Sequence, residues 1–76
     1  MITEKIAMHP ADIKAEIEKS GISQADLSRD LEVSKTVVNE VIYGRTTSRR
    51  IAEHIAKKIG KSLDDIWPGR YTDQAA

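Results

Sequence analysis

Ser23-Gln24-Ala25-Asp26-Leu27-Ser28-Arg29-Asp30-Leu31-Glu32-Val33-Ser34-Lys35-Thr36-Val37-Val38-Asn39-Glu40-Val41-Ile42-Tyr43-Gly44 decides how this chain folds. Ser23 followed at the third position by Asp26 is a capping-box pattern, with Asp26 in the usual Glu/Gln role, and Ile22 and Leu27 flank it as an apolar staple. Leu27 and Leu31 fall one helical turn apart, which predicts a short helix over about 24–31. Ser34 opens a second helix, with Val33 stapling to Val38. Thr36 to Tyr43 has the β-branched composition of a strand. Its periodicity argues otherwise. Val33, Val37, Val38, Val41 and Ile42 recur at helical spacing, and Asn39-Glu40 breaks any in–out alternation. Gly44 ends this helix, over about 35–43. Only about three residues, Leu31 to Val33, join the pair, so two such short helices must cross steeply, in the helix-turn-helix manner.

Working outward, Pro10 suits a first helical position, and Asp12 and Lys19 match the helix dipole at either end. Met8 can staple to Ile13; Ile13 and Ile17 form an inner face before the Gly21 stop, giving a first helix over about 10–20. Ile51, Ala52, Ile55, Ala56 and Ile59 mark one apolar face of a fourth helix, about 48–59, stopped by Gly60 and supported by a Glu53–Lys57 pair. Either Thr47 or Ser48 caps it. Ser62 caps a last short helix with Leu63, Ile66 and Trp67 inside, and Pro68-Gly69 stops it. The expected fold is all-α, a compact bundle of five short helices whose second and third form the helix-turn-helix. The expected organisation is an N-terminal arm over 1–8, one domain over 9–71, and a disordered tail over 72–76.

The chain has 76 residues, too few for a large cleft with its own supporting shell; domains of this size bury only about 60% of their unfolded surface. Twelve basic and twelve acidic residues leave a formal net charge of zero, which argues against coating DNA by bulk charge and against a polybasic membrane binder. The absence of cysteine excludes disulfides and cysteine-based zinc fingers. No apolar run approaches the ~20 residues of a membrane span, and no signal peptide opens the chain, so the expected location is the bacterial cytoplasm or nucleoid. The zero is unevenly composed. Residues 1–33 sum to −3, residues 34–61 to +5 and residues 62–76 to −2, a pattern that can place a basic face on a neutral molecule.

The stretch from Gln24 to Gly44 resembles the motif of the lambda-repressor-like DNA-binding domains. Gln24 opens the first helix as in many members, small Ser28 sits where the two helices touch, and Leu27, Leu31, Val33, Val38 and Val41 fill the family's apolar positions. Five helices with the motif second and third also suit that fold. More narrowly, Ile66-Trp67-Pro68-Gly69-Arg70-Tyr71, the start at His9 to Lys14 and the stretch from Ser23 to Arg29 are similar to the Ner-like regulators of Mu-type phages and their bacterial relatives. The resemblance covers roughly residues 9–71. One departure stands in the turn: where the family often has glycine in a left-handed conformation, this chain has Glu32, at a cost of ~1 kcal/mol.

With the valines packed inward, the exposed stripe of the third helix is Lys35, Thr36, Asn39, Glu40 and Tyr43. These side chains suit a major groove: Lys for guanine O6/N7, Asn for adenine, Thr for a base edge or thymine methyl, Glu for cytosine N4. The resemblance implies that Lys35, Thr36, Asn39 and Glu40 face bases. Any exposed helix face is also polar, and composition alone favours that plainer account. Val37 fits either packing or a thymine-methyl contact. Gln24 and Ser34 start their helices and can offer side chains and amides to phosphate. Tyr43, Arg45, Thr46, Thr47 and Arg49, around the end of the third helix, complete the expected contacts to the DNA backbone. Arg50, Lys57, Lys58 and Lys61 fit either further contacts or a solvated face. Trp67 fits a core plug or a partner interface, and helix 5 with Trp67 to Tyr71 is the expected place for a protein contact.

His9 and His54 stand apart from any metal-spaced cluster, and no catalytic constellation or phosphate-binding glycine loop is present, so neither an enzyme nor a cofactor is expected. The expected function is a sequence-specific DNA-binding regulator of phage type, repressing by promoter occlusion. One short helix reads about four or five base pairs, so a homodimer on a two-fold operator is expected, formed either beforehand or only on the DNA. The alternative is a helical protein-interaction module, or an activator touching RNA polymerase through the acidic face of Asp26, Asp30 and Glu32.

Overall fold

A side chain that accepts a backbone N–H marks the start of every helix in the computed structural model, which describes residues 7–71. His9 caps α1 (Pro10–Lys19), Ser23 caps α2 (Gln24–Leu31), Ser34 caps α3 (Lys35–Ile42), Ser48 caps α4 (Arg49–Ile59) and Ser62 caps α5 (Leu63–Ile66). Each cap satisfies an amide that the first helical turn leaves without a partner. At α2 the box is reciprocal. Ser23 Oγ accepts from the Asp26 amide at 3.1 Å, and Asp26 Oδ2 accepts from the Ser23 amide at 2.9 Å. At α4 the cap is Ser48, which leaves Thr47 exposed. No strand occurs among the described residues, so the valine-rich stretch is helical, as its periodicity requires.

The helices enclose one aliphatic core. Ile13 and Ile17 of α1, Leu27 and Leu31 of α2, Val38, Val41 and Ile42 of α3, and Ile51, Ala52, Ile55 and Ala56 of α4 are buried, and Val37 packs at its rim. α2 packs on α3, α1 on α4 and α3, and α4 on α3 and α5. The Met8 amide donates to the Ile66 carbonyl at 3.1 Å, so the fold is already tied down one residue before the expected domain start. The other residues of the expected arm, apart from Ala7, and the whole 72–76 tail lie outside the described residues.

Between α2 and α3 the chain turns at Glu32, whose φ of 59° and ψ of 43° are left-handed. The Val33 amide then reaches back to the Ser28 carbonyl at 3.0 Å, closing the helix end as glycine-terminated turns do. Glu32 is the only non-glycine residue with positive φ among the described residues. Arg50 of α4 supports the same turn by donating from Nη2 to the Leu31 carbonyl at 3.1 Å.

The C-terminal segment folds inward. Trp67 is 6% and Tyr71 9% exposed, and their rings meet edge to face at 5.5 Å. Trp67 Nε1 donates to the Ile42 carbonyl at 3.5 Å, and Tyr71 Oη accepts from the Ser48 amide at 3.3 Å. Trp67 is thus the core plug. The two aromatic rings of the segment from Trp67 to Tyr71 serve the chain's own core, while Gly69 and Arg70 between them stay exposed.

Two outcomes follow from the caps. Glu32→Gly relieves the left-handed strain of about 1 kcal/mol, and thermal unfolding should show Tm rising by about 4–8 °C for each kcal/mol gained. An unchanged or lower Tm contradicts the strained turn. The amide of Ser23, bonded to Asp26, holds the Asp26 carboxyl below its ordinary value of 3.8, with Ser23 Oγ and Arg29 assisting. A depressed carboxyl contributes stability above its unfolded pKa and loses it as pH falls through the folded value. Acid unfolding of the wild-type chain should therefore begin at higher pH than that of Asp26→Asn, relative to each protein's stability at neutral pH.

Candidate nucleic-acid interface

α3 exposes the stripe that its helical spacing predicts. Lys35 and Thr36 in the first turn are exposed, Asn39 and Glu40 in the second are half-buried, and Tyr43 at the C-cap is 41% exposed. Burial of Val38, Val41 and Ile42 fixes this rotation, because turning the helix would move those side chains into water. Beside the stripe runs an open groove between α1, the start of α2 and α3, lined among others by Lys14, Glu18, Gln24, Lys35, Thr36 and Asn39. The fold therefore brings Gln24, expected on the DNA backbone, alongside three of the four side chains expected on bases.

The fourth is partly engaged. Glu40 Oε1 accepts from Thr46 Oγ1 at 3.3 Å, and its carbonyl accepts from the Arg45 amide at 2.9 Å. Glu40 and Thr46 thus brace the loop that follows α3. Ser34 Oγ accepts from the Val37 amide at 3.2 Å; its hydroxyl proton is left to donate. Thr47 is exposed. The guanidinium carbon of Arg45 lies 5.2 Å from the centre of the Tyr43 ring, within the range of a cation–π contact.

Arg49 is placed differently from the others. Its Nε donates to Glu53 at 3.0 Å and its Nη1 to the Tyr71 carbonyl at 3.2 Å. This arginine clamps the C-terminal segment to the start of α4. The acidic face of α2 is also largely occupied with the fold. Asp26 serves the capping box and pairs with Arg29, while Asp30 Oδ2 lies 3.6 Å from His54 Nε2 of α4. The exposed carboxylate of Glu32 is the remaining member of that group.

Two cations that the sequence did not single out adjoin the stripe. Lys14 Nζ donates to Tyr43 Oη at 3.1 Å and sits 4.7 Å from its ring centre. Arg70 runs past Gly44: its Nη2 is 3.4 Å from where a Cβ on Gly44 would lie. Both lie in stretches that carry the family resemblance, His9 to Lys14 and Ile66 to Tyr71, with no role attached to either side chain. Among the described residues no group of histidine and carboxylate side chains could hold a metal ion, and no helix is long and apolar enough to cross a membrane.

Comparison with known proteins places the chain in a DNA-binding family. The sequence model of the winged helix-turn-helix DNA-binding family matches residues 7–76. The chain is also similar to a negative regulator of transcription from Escherichia phage D108, at 33% identity over 69 residues, which cover 91% of this chain and 92% of the relative. No solved structure matches significantly. The described residues contain no strand, so a β-hairpin wing has no counterpart among them; a polar loop and α4 follow α3 instead.

The clamp at Arg49 has a measurable signature. Arg49→Ala removes the bond to the Tyr71 carbonyl, and chemical unfolding should show a loss of about 1 kcal/mol. No change in stability would mean that the clamp contributes nothing.

Proposed function

The chain belongs to the winged helix-turn-helix DNA-binding family, and on that premise we propose that it is a repressor that reads a specific operator with α3 and occludes a promoter. The observation that carries this reading is the exposed stripe of α3. Lys35, Thr36 and Asn39 line one open groove together with Gln24, between α1, the start of α2 and α3. In this geometry the second helix of the motif enters the major groove. Lys35 then reads guanine, Asn39 reads adenine and Thr36 reads a base edge. Glu40 reads cytosine N4 through the carboxylate oxygen that Thr46 does not engage. Gln24, Ser34, Tyr43, Arg45, Thr46 and Thr47 grip the phosphates on either side and fix the register. Arg49 joins them with the part of its guanidinium not committed to Glu53 and Tyr71.

The regulatory sign follows the phage D108 relative, described as a negative regulator. The Trp67-Pro68-Gly69-Arg70-Tyr71 ending supports the narrower Ner-like assignment. Recognition of about four or five base pairs by one helix is too little for useful specificity, so two copies bind a two-fold site. Among the described residues Tyr43 is the only exposed large hydrophobic side chain. A monomer with so little exposed apolar surface supports a dimer that assembles on the operator rather than beforehand.

Base contacts and backbone contacts separate in mutants. Titrated against duplexes that differ at single base pairs, Asn39→Ala should lose about 1–3 kcal/mol on the cognate site and discrimination at one base pair per half-site. Arg45→Ala should weaken all duplexes alike. A base-specific loss in Arg45→Ala, or a uniform loss in Asn39→Ala, contradicts this docking. Wild-type affinity for duplex DNA that does not fall with rising salt contradicts the DNA reading itself.

A further inference from the structure

Three cations from distant parts of the chain converge at the C-terminal end of α3. Lys14 comes from α1, Arg45 from the loop after α3, and Arg70 from the C-terminal segment. Lys14 Nζ is 3.1 Å from Tyr43 Oη, the Arg45 guanidinium lies 5.2 Å from the Tyr43 ring centre, and the Arg70 guanidinium borders Gly44. Gly44 has a φ of +78°, and Arg70 Nη2 lies in van der Waals range, 3.4 Å from where a Cβ on Gly44 would be. None of the three cations has a carboxylate within 4.0 Å among the described residues, whereas Lys19, Arg29 and Arg49 each do. Like charges held near one another repel, and an aromatic ring offsets that only in part. In a chain of zero net charge this concentration is out of keeping with the average surface, and it matches an anionic partner.

We propose that Lys14, Tyr43, Arg45 and Arg70 form one binding site for consecutive phosphates of a DNA strand flanking the major groove that α3 reads. The inference rests on the DNA reading above and extends it with two contact residues, Lys14 and Arg70. Lys14 lines the same groove as Lys35, Thr36 and Asn39, so the site is continuous with the base-reading stripe. Tyr43 does two things. Its ring and oxygen position Lys14 and Arg45, and because its oxygen accepts from Lys14, its own O–H is left to donate to a phosphate oxygen.

The test uses the full chain, a labelled duplex of fixed sequence and a salt series followed by fluorescence anisotropy, with thermal melts confirming that each variant is folded. Each phosphate contact contributes about −0.9 to the slope of log K against log salt, so removing two from Lys14→Gln/Arg70→Gln should flatten the slope by about 1.8. Between about 50 and about 200 mM salt, the variant's affinity should then fall roughly tenfold less than that of the wild type. Preference among duplex sequences should be unchanged. Lys57→Gln/Lys58→Gln removes the same charge from the last turn of α4 and should leave the slope close to wild type. A wild-type slope in the first variant, or an equal flattening in the second, overturns the phosphate site while leaving the DNA reading intact. Wild-type chain that does not bind the duplex at all overturns both.

Discussion

The left-handed turn at Glu32 is the constraint on which the rest of the molecule depends. It closes α2 through the Val33-to-Ser28 bond and launches α3 from Ser34 with no slack. α3 packs directly on α2, and the burial of Val38, Val41 and Ile42 then fixes its rotation. Position and rotation together decide which side chains face outward. A strained glutamate at this point costs stability that a glycine would not, and Arg50 helps to hold the turn by bonding the last carbonyl of α2. The exposed stripe is therefore a consequence of backbone geometry and of aliphatic burial on the opposite face of α3, rather than of anything polar in α3 itself.

The balance of charge has a physical meaning in this light. A zero total excludes adhesion to nucleic acid by bulk charge, yet the segment from 34 to 61 carries +5, against −3 and −2 on either side. The acidic groups of α2 are largely spent on capping and local pairing, while Lys14, Arg45 and Arg70 lie around the end of α3 with no carboxylate partner among the described residues. A neutral protein with a local basic face gains little from non-specific phosphate contacts and depends more on base contacts for its affinity. That is the electrostatic design expected of a protein that binds one site well and other DNA poorly.

Much of the fold was legible because its signals are local. Serine caps at 23, 34 and 62 sit within three residues of the amides they satisfy, sequence alone left Thr47 and Ser48 open for α4, and valine spacing in α3 chose helix over strand. The stripe of Lys35, Thr36, Asn39 and Tyr43 followed from the same periodicity. What escaped was the set of contacts between residues far apart in sequence. Lys14 meets Tyr43 across 29 positions, and Arg49 turns to Tyr71 across 22. Local spacing carries no information on either, so Lys14 went unnoticed and Arg49 was assigned to DNA without its structural duty. The inward fold of Trp67 and Tyr71 was half legible: a lone tryptophan suits a core, but which core it plugs depends on how the segment returns over α3 and α4.

On the proposed function, α3 reads a particular DNA sequence in two symmetrically placed copies. Selection of bound sites from a random duplex library tests it most directly, because binding, specificity and symmetry are read together. The expected result is enrichment of one motif made of two inverted short half-sites about one helical turn, or a multiple of it, apart. Recovery of a pool no different from the input, or of a single unpaired half-site at full affinity, would contradict it.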